Sequence, residues 1–236
     1  MNRYNKNRDI DDNDYMYADE FDSSEMGNSS EEHVNEDIAV KGPLSIFPAA
    51  RHVRPAAALF ILFFLVSSLA GKYSLQHSLS VSNDDIFLRH EYWRLLTALF
   101  THHDLLHLLS NGFLFILFGW MLRAYFGAIL FPVASIAIGM VTNLIVSFLY
   151  DPGISVLGAS GMVYGMVSLW IIFYIKYDID RAIGMRIIRS IGFILVMLFP
   201  SAFDPQTSYL SHASGFLVGI AVGLLLYRRI AVRDPK

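Results

Sequence analysis

Six apolar stretches follow one another along the chain after residue 41. They cover residues 55–71, 105–122, 128–149, 159–175, 187–203 and 209–227. Each stretch approaches the roughly 20 residues that a helix needs to cross a hydrocarbon core of about 30 Å. Because backbone polar groups in lipid must be hydrogen-bonded internally, we expect every stretch to be a helix. The pattern therefore predicts an all-α polytopic membrane protein, with a six-transmembrane-helix bundle over residues 55–227.

The composition agrees with this interpretation. Hydrophobic residues make up 54% of the 236 residues and charged residues only 17%, whereas soluble domains carry about 25% charged residues. A soluble protein with six buried core helices is the alternative, and so little charge between the stretches disfavours it. The fifth stretch is the weakest of the six, because it is short and carries Arg189 near its start.

Charge divides the chain into segments of different character. Residues 1–40 contain 12 acidic and three basic residues and no apolar run. Such a segment has too little apolar surface to offset its ordering entropy, so we expect a disordered acidic cytoplasmic tail. A tail that binds a partner is the alternative. Residues 41–54 form a juxtamembrane segment, and residues 228–236 a short basic cytoplasmic tail.

Basic residues cluster at alternate ends of the predicted spans. The cytoplasmic set is Lys41, Arg51, Arg54, Arg123, Lys176, Arg181, Arg186, Arg228, Arg229, Arg233 and Lys236. The positive-inside rule therefore predicts that both termini face the cytoplasm, with the cell membrane as the expected location. The first external loop, residues 72–104, is long. Its sequence Glu91-Tyr92-Trp93-Arg94 favours a segment that rests at the membrane interface.

Four polar residues lie within the predicted spans: His107 and Asn111 in the second, Ser160 in the fourth and His212 in the sixth. Each has an ordinary explanation when taken alone, such as helix packing, an interhelical hydrogen bond or a proton path. However, all three spans run from outside to inside, and each residue falls within the first two turns. At 1.5 Å per residue, the four side chains share a layer within roughly 10 Å of the outer boundary.

The chemistry that this layer suits is acyl transfer. A serine hydroxyl needs a base to accept its proton, which makes Ser160 the candidate nucleophile and His212 the candidate general base. The Asn111 amide, the backbone N–H of Ser160 and the His107 side chain are candidate donors to an oxyanion. No Asp or Glu lies near His212 in these spans, which predicts a Ser–His dyad. Tyr164, one turn after Ser160, is the candidate to orient the imidazole.

Other chemistries find less support in the sequence. The run Gly158-Ala159-Ser160-Gly161-Met162 does not complete a GxSxG elbow. His102, His103 and His107 could suggest a metal, but there is no HExxH motif, so we expect no metal and no cofactor. The basic residues are scattered along membrane edges, which gives nucleic-acid binding no support. The chain contains no cysteine.

These residues together resemble the rhomboid family of intramembrane serine proteases. The matching motifs are Trp93-Arg94, Phe100-Thr101-His102, His107-Leu108-Leu109-Ser110-Asn111, Gly158-Ala159-Ser160-Gly161 with Tyr164, and His212-Ala213-Ser214-Gly215 followed by Gly219 and Gly223. The resemblance covers about residues 50–227 and implies a rhomboid-like bundle. It also implies that Ser160 is the nucleophile, that His212 is the base, and that His107, Asn111 and the Ser160 amide form the oxyanion hole. The partners implied are transmembrane protein substrates within the lipid bilayer, cleaved near small residues without a cofactor.

The sequence departs from the family pattern at one position. Arg123, between Gly119 and Gly127, stands where many members carry a Glu, so a supporting hydrogen-bond network of that Glu is not expected here. Two other functions remain as alternatives. One is a catalytically silent rhomboid-like scaffold that binds membrane proteins. The other is a small transporter, which the lack of repeat symmetry between the two halves disfavours.

Overall fold

The computed structural model describes residues 42–201 and 208–236, and the side chains of 198–201 are not described. The predicted acidic tail, residues 1–40, lies outside the described residues. Val40–Lys236 forms one unit by its internal contacts.

The described part of the chain is mostly helical. The helices are α1 (Arg54–Lys72), α2 (Gln76–Leu79), α3 (Asn83–Phe87), α4 (Arg94–Phe100), α5 (Leu105–Phe126), α6 (Ser135–Leu149), α7 (Ser160–Tyr177), α8 (Ile183–Ser201) and α9 (Tyr209–Leu226). Two short strands, β1 (Val81–Ser82) and β2 (Ser155–Val156), pair in antiparallel fashion with Val81 opposite Val156. The segment Ile129–Ala134, which has wider turns than an α-helix and an extended backbone at Phe131, leads into α6.

Four helical segments are long and apolar enough to cross a membrane by length and composition. They are Ala50–Lys72, Leu105–Phe126, Ile129–Leu149 and Tyr209–Leu226. These segments confirm the prediction of a mostly helical, multi-pass membrane protein. Helices α7 and α8 occupy the two remaining apolar stretches. The count of six spans stays a prediction, and it is taken up under the proposed function.

Helix α7 lies at the centre of the bundle. It is buried on nearly every side over its first ten residues, and Met162, Val163, Met166 and Leu169 are fully enclosed. A helix that is apolar all round is stable only when other helices surround it. Helices α5, α6 and α9 provide these surroundings. By contrast, the outward faces of α8 and α9 carry exposed apolar side chains such as Leu195 and Leu225, as expected for surfaces in contact with lipid.

The closest packing in the bundle joins α7 to α9, and glycines make it possible. A Cβ atom placed on Gly215 would overlap the carbonyl group of Gly161. A Cβ atom on Gly219 would overlap the Gly165 carbonyl and the Ser168 hydroxyl. Small residues at such an interface let two backbones approach to van der Waals distance, which is the main attraction between helices in lipid.

The connection between α1 and α5 is folded, which the sequence did not predict beyond an interfacial segment. The Arg94 side chain is buried and donates to the carbonyls of His77 at 2.9 Å and Ser80 at 3.0 Å. It also pairs with Glu91 at 2.5 Å. The Asp85 carboxylate caps α3 together with Ser82. Because these bonds join residues up to 17 positions apart, they fold the connection against itself.

The C-terminal segment, predicted as a basic tail, packs against other parts of the protein. The Ile230 side chain is buried, and its carbonyl accepts a hydrogen bond from the Tyr177 hydroxyl at 2.6 Å. The Arg233 N–H donates to the Tyr125 carbonyl at 2.8 Å, and the Ala49 N–H donates to the Pro235 carbonyl at 2.8 Å. The segment therefore connects the end of α5, the end of α7 and the residues that precede α1.

The glycine packing between α7 and α9 generates a prediction about stability. Replacing Gly215 by Ala forces the two backbones apart, and overpacking of this kind typically costs about 1–3 kcal/mol. Replacing Gly192 in α8 by Ala is the matched control, because no atom lies within 4 Å of a Cβ there. That change should increase stability by roughly 0.5–1 kcal/mol, since Gly is unfavourable within a helix. Equilibrium unfolding of the detergent-solubilised protein measures both effects, and similar values for the two variants would contradict the prediction.

Candidate active site

The segment before α7 holds the predicted nucleophile, Ser160, in a defined position. Ser160 is the first residue of α7 and is only 7% exposed. The N–H of Gly158 donates to the Ala98 carbonyl at 2.8 Å, which ties the segment to the end of α4. Gly158 has a φ of +111°, a backbone conformation that side-chain-bearing residues rarely adopt. The glycine therefore permits the turn that brings the chain into α7 at Ser160.

The N-terminus of α7 presents backbone donors. The first N–H groups of a helix have no carbonyl partner within the helix, and they lie at the positive end of the helix dipole. The bond from the Val163 N–H to the Ala159 carbonyl, at 2.9 Å, is the first that closes this helix. The N–H groups of Ser160 and Gly161 lie before it, at the end where a developing negative charge is stabilised.

The predicted base, His212, lies in the first turn of α9. Ser208 caps this helix, accepting a hydrogen bond from the Ser211 N–H at 3.1 Å, and Tyr150 contacts the same Ser208 hydroxyl at 2.8 Å. The imidazole of His212 stacks on the ring of Tyr164, with the centroids 4.0 Å apart and an interplanar angle of 15°. Because Tyr164 lies one turn after Ser160, the stack joins the starts of α7 and α9.

The residues next to Ser160 and His212 touch directly. A Cβ atom on Gly161 would lie 2.7 Å from the Ser211 hydroxyl and 3.2 Å from the Ser211 carbonyl oxygen. It would also lie 2.7 Å from a methyl group of Thr142 in α6. Gly161 thus contacts the residue that precedes His212, which puts the two predicted catalytic positions on facing turns of neighbouring helices.

The predicted oxyanion residues, His107 and Asn111, lie in the first two turns of α5. The Asp104 carboxylate caps this helix by accepting from the His107 N–H at 2.8 Å. A Cβ atom on Gly158 would lie 3.3 Å from Cε1 and 3.4 Å from Nε2 of His107, so this ring lies beside the turn before Ser160. The Asn111 side-chain nitrogen is buried and has no hydrogen-bond partner among the residues that the structure describes. It is therefore a donor available to a further acceptor.

His102 belongs to this group of residues, although it was not among the predicted site residues. Its side chain is 2% exposed, and its Nε2 accepts a hydrogen bond from the Ala159 N–H at 3.3 Å. Its Nδ1 lies 3.2 Å from the Ser67 hydroxyl, which in turn donates to the Phe100 carbonyl at 3.0 Å. One neutral tautomer satisfies these contacts, with the proton on Nδ1 and the lone pair on Nε2.

The electrostatic surroundings keep His102 neutral. Burial, together with a smaller effect of the nearby imidazoles of His107 and His103, lowers the pKa of His102 from 6.5 to about 3. The His107 ring stands edge-on to it, with centroids 5.4 Å apart. The sequence signal for this residue is the motif Phe100-Thr101-His102, which begins at the last residue of α4. Within the described ranges, no three His, Cys, Asp or Glu residues are arranged to hold a metal ion.

An apolar cavity of about 490 Å³ adjoins the stacked pair of rings, between α7, α8 and α9. Its walls include Tyr164 and His212, together with Met197 from α8 and Phe216 from α9. The cavity therefore borders the imidazole of His212.

Comparison with known proteins gives consistent results. A family model described as the Rhomboid domain matches residues 89–229. The human Rhomboid-related protein 3 is 29% identical over 194 residues, which are 74% of this chain and 48% of the relative. The Rhomboid protease GlpG of Haemophilus influenzae is 27% identical over 176 residues, 68% of this chain and 88% of the relative. RHOMBOID-like protein 2 of Arabidopsis thaliana is 27% identical over 140 residues, 59% of this chain and 44% of the relative.

The chain spans about half the length of the first of these curated relatives and less than half of the plant protein. The matched region contains every helix from α4 to α9 and all the motifs of the predicted site. Because the family model covers more than half of the 236 residues, this multi-pass membrane protein belongs to the rhomboid family.

Proposed function

We propose that this protein is an intramembrane serine endopeptidase that cleaves transmembrane segments of other membrane proteins, with Ser160 as nucleophile and His212 as general base. The observation that carries the proposal is the contact of Gly161 with Ser211. These residues are the chain neighbours of Ser160 and His212, so the contact brings the two positions to facing helical turns. A nucleophile and its base must lie close enough for proton transfer. A serine that only packs between helices does not need a histidine on the facing turn.

The proposed reaction is acyl transfer in two steps. His212 accepts the proton of the Ser160 hydroxyl as its oxygen attacks the substrate carbonyl carbon, and the carbonyl oxygen becomes an oxyanion. The tetrahedral intermediate collapses when the carbon–nitrogen bond breaks and His212 gives its proton to the leaving amine. Water then attacks the acyl-enzyme, with His212 as base again, and releases the carboxylate product and the free serine.

The donors to the oxyanion are proposed to come from two helices. The backbone N–H of Ser160 comes from the start of α7, and the Asn111 amide and the His107 imidazole come from α5. The support is the buried Asn111 nitrogen without a partner in the described part of the protein and the position of His107 beside Gly158. A buried unpaired donor costs free energy in the resting protein, and a donor reserved for a transition-state charge accounts for that cost.

Aromatic stacking takes the orienting role that a carboxylate has in a triad. Helices α5, α7 and α9 contain no Asp or Glu. The Tyr164 ring, stacked on His212 at 4.0 Å, restricts rotation of the imidazole without placing a charge inside the bundle. We therefore propose a dyad in which Tyr164 orients the base and Gly158 and Gly161 allow the close approach.

The proposed topology follows the charge distribution along the chain. Six spans, formed by α1, α5, the segment Ile129–Leu149, α7, α8 and α9, would leave both termini in the cytoplasm and residues 72–104 outside. The acidic tail 1–40, the juxtamembrane segment 41–54 and the basic segment 228–236 would then be cytoplasmic. In this arrangement the starts of α5, α7 and α9 share the outer layer, and a substrate helix would enter from the bilayer.

The first test of the proposal concerns the dyad. Ser160→Ala should abolish both cleavage of a transmembrane substrate and labelling by a fluorophosphonate, and His212→Ala should do nearly the same. Because the two groups act as a unit, the double variant should be hardly slower than either single variant. Ser168→Ala is the control, since Ser168 is a buried serine on the same helix whose hydroxyl bonds the Gly165 carbonyl at 3.0 Å. Ser168→Ala should keep its labelling.

A folded Ser160→Ala protein that cuts substrate at the wild-type rate would end the serine-protease proposal. A second outcome would favour the alternative function. If the wild-type protein does not react with the fluorophosphonate but still binds membrane proteins, it is a catalytically silent scaffold. Thermal unfolding of each variant verifies that the loss of labelling is not a loss of folding.

A second test concerns the oxyanion donor on α5. Asn111→Ala should lower kcat with little change in KM, because its amide would bind only the developing charge. Loss of one such donor typically lowers kcat on the order of 10²–10³-fold. Ser110→Ala is the control, because this neighbouring hydroxyl bonds the His107 carbonyl within its own helix. Equal kcat values for Asn111→Ala and wild type would assign Asn111 to helix packing.

A third test concerns His102, which we propose as a positioning residue for Ser160. Its bond to the Ala159 N–H fixes the residue that precedes the nucleophile. His102→Ala should therefore lower kcat, by up to about 100-fold if the nucleophile moves by an ångström. His102→Gln should recover part of the loss, because its amide oxygen can accept from the same N–H. His103→Gln, at the exposed neighbour, should have no effect on kcat.

The same residue predicts a dependence of stability on pH. The unfolded chain binds a proton at His102 below pH 6.5, whereas the folded protein does so only below about pH 3. Stability should therefore fall as the pH decreases from 6.5 towards 3, by at most about 1.4 kcal/mol per pH unit from this group. The fall should be smaller in His102→Gln than in wild type or His103→Gln. Parallel curves for all three proteins would show that His102 is not held neutral.

A further inference from the structure

A second cavity lies in the bundle, away from Ser160 and His212. It has a volume of about 280 Å³ and is bordered by α5, α7 and α8. Leu117 and Phe118 of α5, Trp170 and Ile171 of α7 and Phe193 of α8 form its apolar walls. None of these residues takes part in the proposed peptidase chemistry.

The cavity faces a loosely packed helix. On α8, Gly184 and Gly192 have no atom within 4 Å of a Cβ position, and the side chains of Ile188 and Ile191 are exposed. Next to such a helix the cavity is open to the surroundings of the bundle, which in a membrane are acyl chains. Apolar walls without neighbouring atoms lose dispersion contacts, and a hydrocarbon chain restores these contacts.

One cation lies among the residues that line the cavity. Arg189 is six residues after the first residue of α8, or roughly 9 Å along the helix axis, and its side chain extends far enough to reach the interface. No carboxylate of residues 42–201 or 208–236 lies within 4.0 Å of its guanidinium. Tyr174 lines the same cavity.

The other arginines near this end of α8 are already engaged. The Arg186 guanidinium donates to the carbonyls of Arg181 at 2.7 Å and Ile175 at 2.8 Å. Arg181 holds the Asp178 carboxylate with two hydrogen bonds, at 2.8 and 3.0 Å. Arg189 therefore has a positive charge available to an external anion at the rim of an apolar cavity.

We propose that this cavity binds one acyl chain of an anionic phospholipid, whose phosphate is held by Arg189. Basic pockets between transmembrane helices are known to suit anionic lipid headgroups. The apolar walls account for the chain and the cation accounts for the phosphate. A lipid with a net negative headgroup should bind more tightly than phosphatidylcholine, whose choline offsets the charge of its phosphate. The proposal stands whether or not the protein proves to be a peptidase.

Fluorescence quenching of Trp170 can test the site in the full-length protein. The protein is reconstituted into phosphatidylcholine bilayers that contain a minor fraction of phosphatidylglycerol or phosphatidylcholine with brominated acyl chains. Subtracting the signal of Trp170→Phe isolates the quenching at the cavity from that at Trp93 and Trp120. One cation near the headgroup should give brominated phosphatidylglycerol an advantage of about fivefold in affinity.

Charge variants separate the site from general surface attraction. Arg189→Gln should remove the preference for phosphatidylglycerol, and Arg189→Lys should retain most of it. Arg228→Gln is the matched control, because Arg228 is an exposed arginine that follows α9 and does not line the cavity. Equal quenching by the two lipids in wild type would overturn the proposal, as would an equal loss of preference in Arg189→Gln and Arg228→Gln.

A third variant tests the cavity itself. Leu117→Phe adds volume to the wall, and it should reduce the quenching of Trp170 by both brominated lipids while the protein remains folded by thermal unfolding. If Leu117→Phe instead slows substrate cleavage and leaves lipid quenching unchanged, the cavity receives a substrate helix, and the lipid proposal is wrong.

Discussion

The contact between the backbones of α7 and α9 is the constraint on which the rest of the structure depends. Gly161 and Gly215 allow the two helices to touch where neither side chain could be larger than a hydrogen atom. In lipid there is little hydrophobic drive between helices, so van der Waals contact of this kind provides much of the attraction. The same approach sets the distance between the turns that carry Ser160 and His212. The close approach of α7 and α9 thus underlies both the packing of the bundle and the proposed chemistry.

The start of α7 is fixed by groups from several parts of the chain, and a close approach of two helices alone would not achieve this. Gly158 is bonded to the end of α4, and Ala159 is bonded to His102, whose other nitrogen contacts Ser67 in α1. Through these bonds, α4, His102 and α1 together hold the residues that precede the proposed nucleophile. Because the lowered pKa of the buried His102 keeps its imidazole neutral near pH 7, its Nε2 remains able to accept the bond from the Ala159 N–H.

The sequence predicted the long helices well and the connections poorly, for a physical reason. Apolar runs of membrane length are local features, so the predicted stretch 105–122 corresponds to α5 at Leu105–Phe126 and the stretch 209–227 to α9 at Tyr209–Leu226. The strand pair Val81–Ser82 and Ser155–Val156 depends on contacts between residues that are distant in sequence. A strand of two residues is also too short to show an alternating hydrophobic pattern. Ile230 is a single apolar residue in a basic segment, so its burial could not be inferred. The proposed positioning role of His102 depends on its bond to Ala159, 57 residues away.

The absence of acidic residues from α5, α7 and α9 explains the form of the candidate site. An ionised carboxylate inside a bilayer carries a desolvation penalty that a neutral aromatic ring does not. A base could be held by an Asp only if further donors compensated that charge, and these donors would have to come from helices that are otherwise apolar. Stacking on Tyr164 restricts the His212 ring through dispersion and ring electrostatics, at no such cost. The buried amide of Asn111 follows the same logic, since a neutral donor is tolerated without a partner far better than a charge. A dyad with an aromatic support is therefore the arrangement that the surroundings of these three helices favour.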